Sequence, residues 1–253
     1  MKYIPVFEES DGVRAFFSTR EGAVEGAPYD NEDVFKELGL EDAIKVRPVQ
    51  IHEDRIESIT HRDVEALSGK KHIDVPDTDG CVTNVKGVLL TTVHADCLPV
   101  YFYDPKNSVI GLSHAGWRGA LAGIVPQTLR RMLNSFGASR DHIQVFIGPG
   151  IDKCCFQVGE EVASQFLLEW GFLLAEPDER IAEELDETDS PQKYLLDLKG
   201  TVKRQLINAG LPEENIKVSE HCTCCEPETF CSYRREGGTY LRMGAGICMM
   251  DAE

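Results

Sequence analysis

Three apolar runs crowded between residues 88 and 114 constrain this chain more than any other feature. Val88–Val93, Leu98–Tyr103 and Ser108–His114 are each too short for a stable helix. They are split by Ala95-Asp96-Cys97 and by Asp104-Pro105-Lys106-Asn107, so they predict buried strands. Gly116–Gly119 then opens a helical pattern with Leu121, Ile124, Val125, Leu129, Met132 and Leu133 on one side. Pro126 should kink or restart that helix. Ile143–Ile147 reads as another strand.

On either side the signals are weaker but of the same mixed kind. Lys2–Glu8 and Val13–Thr19 read as strands around a Ser10-Asp11-Gly12 turn. Ile44–His52 and Arg55–Thr60 alternate as in a hairpin or neighbouring strands. Ile216–Ser219 and Thr239–Met249 are strand-like. Helices are expected over Asn31–Leu40 with Asn31 as N-cap, over Val158–Trp170, and over Asp197–Ala209 with Asp197 as N-cap and Gly210 beyond the end. Glu21–Tyr29, Ser68–Gly80 and the acidic stretch Glu176–Ser190 read as loops. The pattern is mixed α+β. Without internal repeats or low-complexity linkers, a single domain over residues 1–253 is the simplest organisation.

Composition narrows the partners. The net charge is −17, from 26 basic and 43 acidic residues. Such a surface repels phosphate backbones and anionic lipid, which argues against nucleic-acid and membrane binding. A pocket with its own local field can still take a small anion. No apolar stretch approaches the roughly 20 residues of a membrane span, and the N-terminus lacks the apolar core of a secretory signal. Nine cysteines, an odd number without export signals, favour free thiols, a metal site or a nucleophile over a disulfide framework. A cytoplasmic location is expected.

Two junctions concentrate chemically useful residues. One is His94-Ala95-Asp96-Cys97 between two strands. The other is Ser113-His114-Ala115-Gly116-Trp117-Arg118-Gly119 between a strand and a helix. Cys97 and His114 suit zinc or copper as ligands, or could act as a nucleophile–base dyad. A metal needs a third ligand, and spacing leaves His52 and His94 both open. The helix N-terminus after Gly116 and the guanidinium of Arg118 suit a phosphate. Trp117 is expected to pack under the turn. Cys222-Thr223-Cys224-Cys225 and Cys154-Cys155 admit a second, structural zinc, but adjacent cysteines rarely share one ion, so these read as free thiols.

The blocks Thr92-Val93-His94-Ala95-Asp96-Cys97-Leu98-Pro99, His114-Ala115-Gly116-Trp117-Arg118-Gly119, Ile147-Gly148-Pro149-Gly150-Ile151 and Phe230-Cys231-Ser232-Tyr233-Arg234-Arg235 resemble successive signatures of the laccase-domain family. Phe17-Ser18-Thr19-Arg20, Gln50-Ile51-His52 and Asp79-Gly80-Cys81-Val82-Thr83 follow in the family's order. The family carries two labels, polyphenol oxidase and purine nucleoside phosphorylase. The resemblance implies helices flanking two packed mixed β-sheets, a four-layer sandwich similar to the cytotoxic necrotizing factor-like cysteine hydrolases. It implies His52, Cys97 and His114 as metal ligands, for zinc or alternatively copper, and makes His94 a buried histidine behind them. Three protein ligands leave a tetrahedral metal one open position. The activity implied is phosphorolysis of adenosine, inosine, guanosine and methylthioadenosine, with deamination of adenosine. Purine nucleosides and inorganic phosphate are then the partners, and a homodimer is compatible. Cys97, His114 and Asp96 are the expected catalytic groups, with Asp96 moving protons. Arg118, Arg20 and Arg234 are the candidate phosphate holders. The alternatives are copper-dependent phenol oxidation, a Cys–His hydrolase and a role in editing peptidoglycan precursors. The chain departs from the family in a shortened segment before His52 and in Glu53, where glycine is usual.

Overall fold

The structure, a computed structural model, describes residues 1–7, 12–26, 29–173, 181–185 and 192–250. In chain order its strands begin with β1 (Tyr3–Pro5), β2 (Val13–Ser18), β3 (Val24–Glu25), β4 (Ile44–Pro48), β5 (Ile56–Ile59), β6 (His72–Val75), β7 (Gly80–Thr83) and β8 (Val88–His94). They continue with β9 (Leu98–Asp104), β10 (Val109–Ala115), β11 (Gln144–Ile147), β12 (Gln157–Gly159), β13 (Ala182–Leu185), β14 (Lys193–Leu196), β15 (Ile216–Val218) and β16 (Leu241–Met249). The helices are α1 (Glu32–Glu37), α2 (His61–Glu65), α3 (Trp117–Leu121), α4 (Ile124–Phe136), α5 (Glu160–Trp170) and α6 (Leu198–Asn208).

These strands form two large mixed sheets. A seven-stranded sheet runs β1-β2-β16-β8-β4-β6, with β3 also on β16; a six-stranded sheet runs β15-β11-β9-β10-β7-β5. A small third sheet, β12-β14-β13, stands apart. The central apolar runs are fully buried as β8, β9 and β10, the expected signature of strands covered on both faces. One apolar core brings Phe17, Leu90 and Ile247 of the larger sheet against Tyr101, Ile110 and Leu112 of the other. A second core covers the far side of the six-stranded sheet with α4, α5 and α6, through Leu129, Phe166 and Val202. A third sets Val34 and Phe35 of α1 on the outer face of the larger sheet, against Phe16 and Leu89.

Local signals explain the helix ends. The Asn31 side chain accepts from Val34 N at 3.1 Å, and Asp197 accepts from Gly200 N at 2.8 Å, so both act as N-caps. The helical pattern after Gly116 splits at Gly123, which takes a left-handed conformation (φ 81°). Pro126 then falls in the first turn of α4, where its missing N–H removes no hydrogen bond.

Four expectations change. The loop expected over Glu21–Tyr29, of which residues 27–28 lie outside the described ones, contains β3. Ile44–His52 and Arg55–Thr60 do not pair: β4 lies in the larger sheet and β5 in the other. The loop expected over Ser68–Gly80 contains β6, and the one expected over Glu176–Ser190 contains β13. Residues 176–180 and 186–190 of that acidic stretch, and 8–11 of the first turn, lie outside the described residues. Among the described residues no helix is long and apolar enough to cross a membrane.

Candidate metal centre at the sheet crossings

Three connections pass from the larger sheet to its neighbour: β4 to β5, β6 to β7, and β8 to β9. β4 and β6, and β4 and β8, are parallel pairs, so all three crossings leave from the same end of that sheet. His52 lies in the first, Asp79 in the second and Cys97 in the third. His114 comes up from the end of β10, which pairs with both β7 and β9. One nitrogen each from His52 and His114 and the Cys97 sulfur consequently lie within 4.8 Å of one another.

Asp79 organises this meeting. It is fully buried. Its carboxylate accepts from the backbone N–H groups of Ile51 (3.0 Å), His52 (3.0 Å) and Glu53 (2.9 Å). The same carboxylate accepts from His114 Nδ1 at 2.8 Å. His52 sits at φ 64°, a left-handed conformation that costs a non-glycine residue on the order of 1 kcal/mol. Three N–H bonds to one carboxylate offset that cost. Gln50 clips the same loop to β8, donating to Val93 O at 2.9 Å and accepting from Val93 N at 2.7 Å.

Burial opposes ionisation throughout, and the neighbours overcome it. The Cys97 thiol is resisted by burial but drawn down to about 6 by His114 and His52. His114 is opposed by burial but lifted to about 9 by Cys97 and Asp79. Asp79 stays below the ordinary carboxyl range because hydrogen bonds from His114 and the loop amides outweigh its desolvation. The donor chemistry fits a metal. A thiolate and two imidazoles are offered together, and a carboxylate holds the Nδ1 proton of His114 so that Nε2 is its ligand atom. The ligand spacing accommodates bonds of about 2.0–2.3 Å to one tetrahedral zinc.

The other expected residues divide. His94 is buried, with Nε2 on Thr92 Oγ1 at 2.7 Å and Nδ1 on Cys97 O at 3.0 Å. Both ring nitrogens are engaged, and burial together with the neighbouring His114 and His52 keeps the ring neutral. Asp96, expected to move protons, is committed elsewhere. Its carboxylate accepts from Thr223 Oγ1 (2.6 Å), Ser232 Oγ (3.0 Å) and Arg234 N (2.7 Å). It fastens one wall of the site rather than standing free. Arg20 is likewise engaged, donating to Pro227 O at 3.0 Å, to Phe230 O at 3.3 Å and to Glu236. It does not line the cleft below.

The three donors lie along a cleft of about 880 Å³. Arg118 lines it, exposed, with its guanidinium 4.3 Å above the Trp117 ring. Trp117 packs on the core beneath the turn. α3 spans only five residues, so its dipole is small and Arg118 carries most of the positive charge at that turn. Arg234 lines the cleft too, donating to Gln157 O at 2.8 Å and Cys155 O at 3.3 Å. Sequence reasoning missed Arg47 and Arg242, which also line the cleft. It also missed the role of Asp79, whose only signal was its place in the Asp79-Gly80-Cys81 block. Four arginines thus line one cleft, but Arg47 is paired with Asp74, which lines it too, at 2.8 Å, and Arg242 donates to Leu241 O at 3.0 Å.

An α+β protein whose sheet crossings bring one histidine and one cysteine to a second histidine at a strand end, beside a cleft, defines a narrow class. The chain belongs to the family described as multi-copper polyphenol oxidoreductase laccase, whose model matches residues 29–250. It is 37% identical over 198 residues to the purine nucleoside phosphorylase YlmD of Geobacillus stearothermophilus, covering 78% of this chain and 69% of that one. It is 29% identical over 256 residues to adenosine deaminase RL5 of an unidentified prokaryote, covering 94% of each. The crystal structure of the Geobacillus YlmD superposes with a TM-score of 0.79 at 29% identity, over 98% of this chain and 100% of that one.

Proposed function

We propose that this chain is a metal-dependent purine nucleoside phosphorylase that also deaminates adenosine. The observation that carries it is the convergence of His52, Cys97 and His114 in a cleft that also presents Arg118 and Arg234. His52, Cys97 and His114 are the ligands, and zinc is the metal, with copper the alternative. A zinc held there supplies Lewis acidity and a bound water of lowered pKa. Asp79 keeps His114 in one tautomer and the His52 loop in one conformation. Arg118 and Arg234 bind the attacking phosphate as charge-assisted donors. The cleft volume suits a small ligand such as a nucleoside.

The three apolar cores, one between the sheets and one outside each, support a helix–sheet–sheet–helix layering of the cytotoxic necrotizing factor-like kind, and support residues 1–253 as one domain. Among the described residues no two cysteines form a disulfide, which suits the cytoplasm.

The test is direct. Zinc-loaded protein is given adenosine with and without phosphate. Adenine plus ribose 1-phosphate establishes phosphorolysis, and inosine establishes deamination. Neither product, with one metal at the centre, sinks the reading. A second reading, a Cys–His hydrolase, is favoured by the ordered line of Asp79, His114 and Cys97. Activity that survives complete metal removal and is abolished by iodoacetamide on Cys97 would select it.

A further inference from the structure

A second sulfur-rich cluster lies outside the cleft. Cys154 and Cys155 sit in the turn between β11 and β12, and Cys222 and Cys225 in the turn after β15. The two turns meet through a bridge between Gly150 and Cys222 and a hydrogen bond from Thr223 N to Gly150 O at 3.1 Å. As a result all four sulfurs lie within 4.8 Å of one another. Cys154 Sγ is 3.8 Å from Cys155 Sγ, 3.8 Å from Cys222 Sγ and 3.5 Å from Cys225 Sγ; Cys155 Sγ is 3.3 Å from Cys225 Sγ.

Those separations have a simple geometric meaning. A zinc–thiolate bond of about 2.3 Å in tetrahedral geometry places neighbouring sulfurs about 3.8 Å apart. A disulfide would need about 2.05 Å, so none of these pairs is bonded. Four thiolates at tetrahedral spacing repel one another unless a cation sits among them. The surroundings are arranged for bound thiolates. Asp152 N donates to Cys222 Sγ at 3.4 Å. Lys199, buried, places its ammonium on Asp152 Oδ2 (3.1 Å), Ser219 O (3.0 Å) and His221 O (2.8 Å). It thereby ties Asp152 of the first turn to the Ser219 and His221 carbonyls that lead into the second.

We propose that Cys154, Cys155, Cys222 and Cys225 bind one zinc ion as a structural site, separate from the His52–Cys97–His114 centre. With four protein ligands it offers no open position, so its role is mechanical. It ties the 151–156 turn to the 220–226 turn. The first turn carries Phe156 and Gln157 into the cleft wall and supplies the Cys155 carbonyl to Arg234. The second supplies Thr223 to Asp96. The ion therefore fixes the wall that aims Arg234, without touching substrate. The sequence suggested free thiols because Cys154 and Cys155 are adjacent. The turn after Ile151 lets both side chains reach one point.

Metal stoichiometry of the whole chain tests this independently of any activity. The variant His52→Ala/Cys97→Ala/His114→Ala lacks the first centre and is expected to retain one zinc per chain. Adding Cys154→Ser and Cys225→Ser should remove it. Loaded with cobalt(II) in place of zinc, the triple variant should show the intense sulfur-to-cobalt charge-transfer bands of a tetrahedral tetrathiolate. The unaltered protein provides a check that needs no variant: Cys154 and Cys225 should resist alkylation until a strong chelator is added, then react. A triple variant with no stoichiometric metal and no such bands would overturn the proposal. So would alkylation equally fast with and without chelator, or an intact mass showing two disulfides among these residues.

Discussion

The two sulfur-containing clusters use the same elements for opposite ends. The His52–Cys97–His114 centre draws one ligand from each of three distant stretches, a loop between the two large sheets and two strand ends. The four-cysteine cluster draws two ligands from each of two turns. The first has three donors, mixed in type, beside a cleft. The second has four donors of one type and faces no substrate. An incomplete ligand set on a rigid scaffold leaves a position for chemistry, whereas a complete one on turns holds those turns together.

The largest effect should come from the incomplete set. Cys97→Ala removes the only sulfur of the three-donor centre. Activity on adenosine should fall by more than about 100-fold, beyond the loss typical of outer partners, and the zinc content should drop by one ion per chain. Retention of activity by metal-free Cys97→Ala would break the comparison at its first term.

Asp79→Asn comes next. Asparagine keeps the shape but turns an amide donor toward N–H groups that need an acceptor, and no longer favours the metal-binding tautomer of His114. Metal affinity measured by competition with a chelator should weaken about 10- to 100-fold. Denaturant melts should also show a loss of about 1–3 kcal/mol. The four-cysteine cluster should keep its ion.

Arg118→Ala should raise the KM for phosphate about tenfold, the scale of one charge-assisted hydrogen bond. Zinc content and adenosine deamination should be little changed. Arg20→Ala, by contrast, should leave the phosphate KM alone and lower thermal stability, because its donors hold Pro227, Phe230 and Glu236. An equal KM effect for both would mean that the cleft assignment of the arginines is wrong.

Gly116→Ala probes how tightly the centre is packed. A Cβ there would lie 3.2 Å from Cys97 Sγ and 3.2 Å from His52 Cδ2, so two ligands must shift by tenths of an ångström. A several-fold rise in the metal dissociation constant is expected, without loss of the fold. The smallest change is Asn31→Ala, far from both clusters. Loss of its cap to Val34 N should cost about 1 kcal/mol in a melt and leave both metal contents untouched.

Much of this was legible in the chain itself. The buried strands β8, β9 and β10, the caps at Asn31 and Asp197 and the restart near Pro126 follow from periodicity and backbone preference, which are local. The linear blocks around Cys97 and His114 flagged the right neighbourhood, and the family resemblance selected His52 over His94. Physics alone left those two histidines equivalent, because nothing in the sequence says that Thr92 and the Cys97 carbonyl occupy both nitrogens of His94. Arg20 and Asp96 looked available for the same reason: a charge in a sequence carries no record of the acceptors and donors that will claim it.

Tertiary structure decided which strands share a sheet. Ile44–Pro48 and Ile56–Ile59 look like partners in the sequence, yet they lie in different sheets, and that separation makes the His52 loop a crossing. Asp79 gained its role, and the four cysteines their common point, through pairings between residues far apart along the chain. Side-chain alternation is set by the two or three residues on either side, whereas strand order depends on hydrogen bonds and core contacts formed only when the whole chain collapses. The sequence therefore specified the ligands' chemistry and the local elements that carry them, and the packing of two sheets specified where they meet.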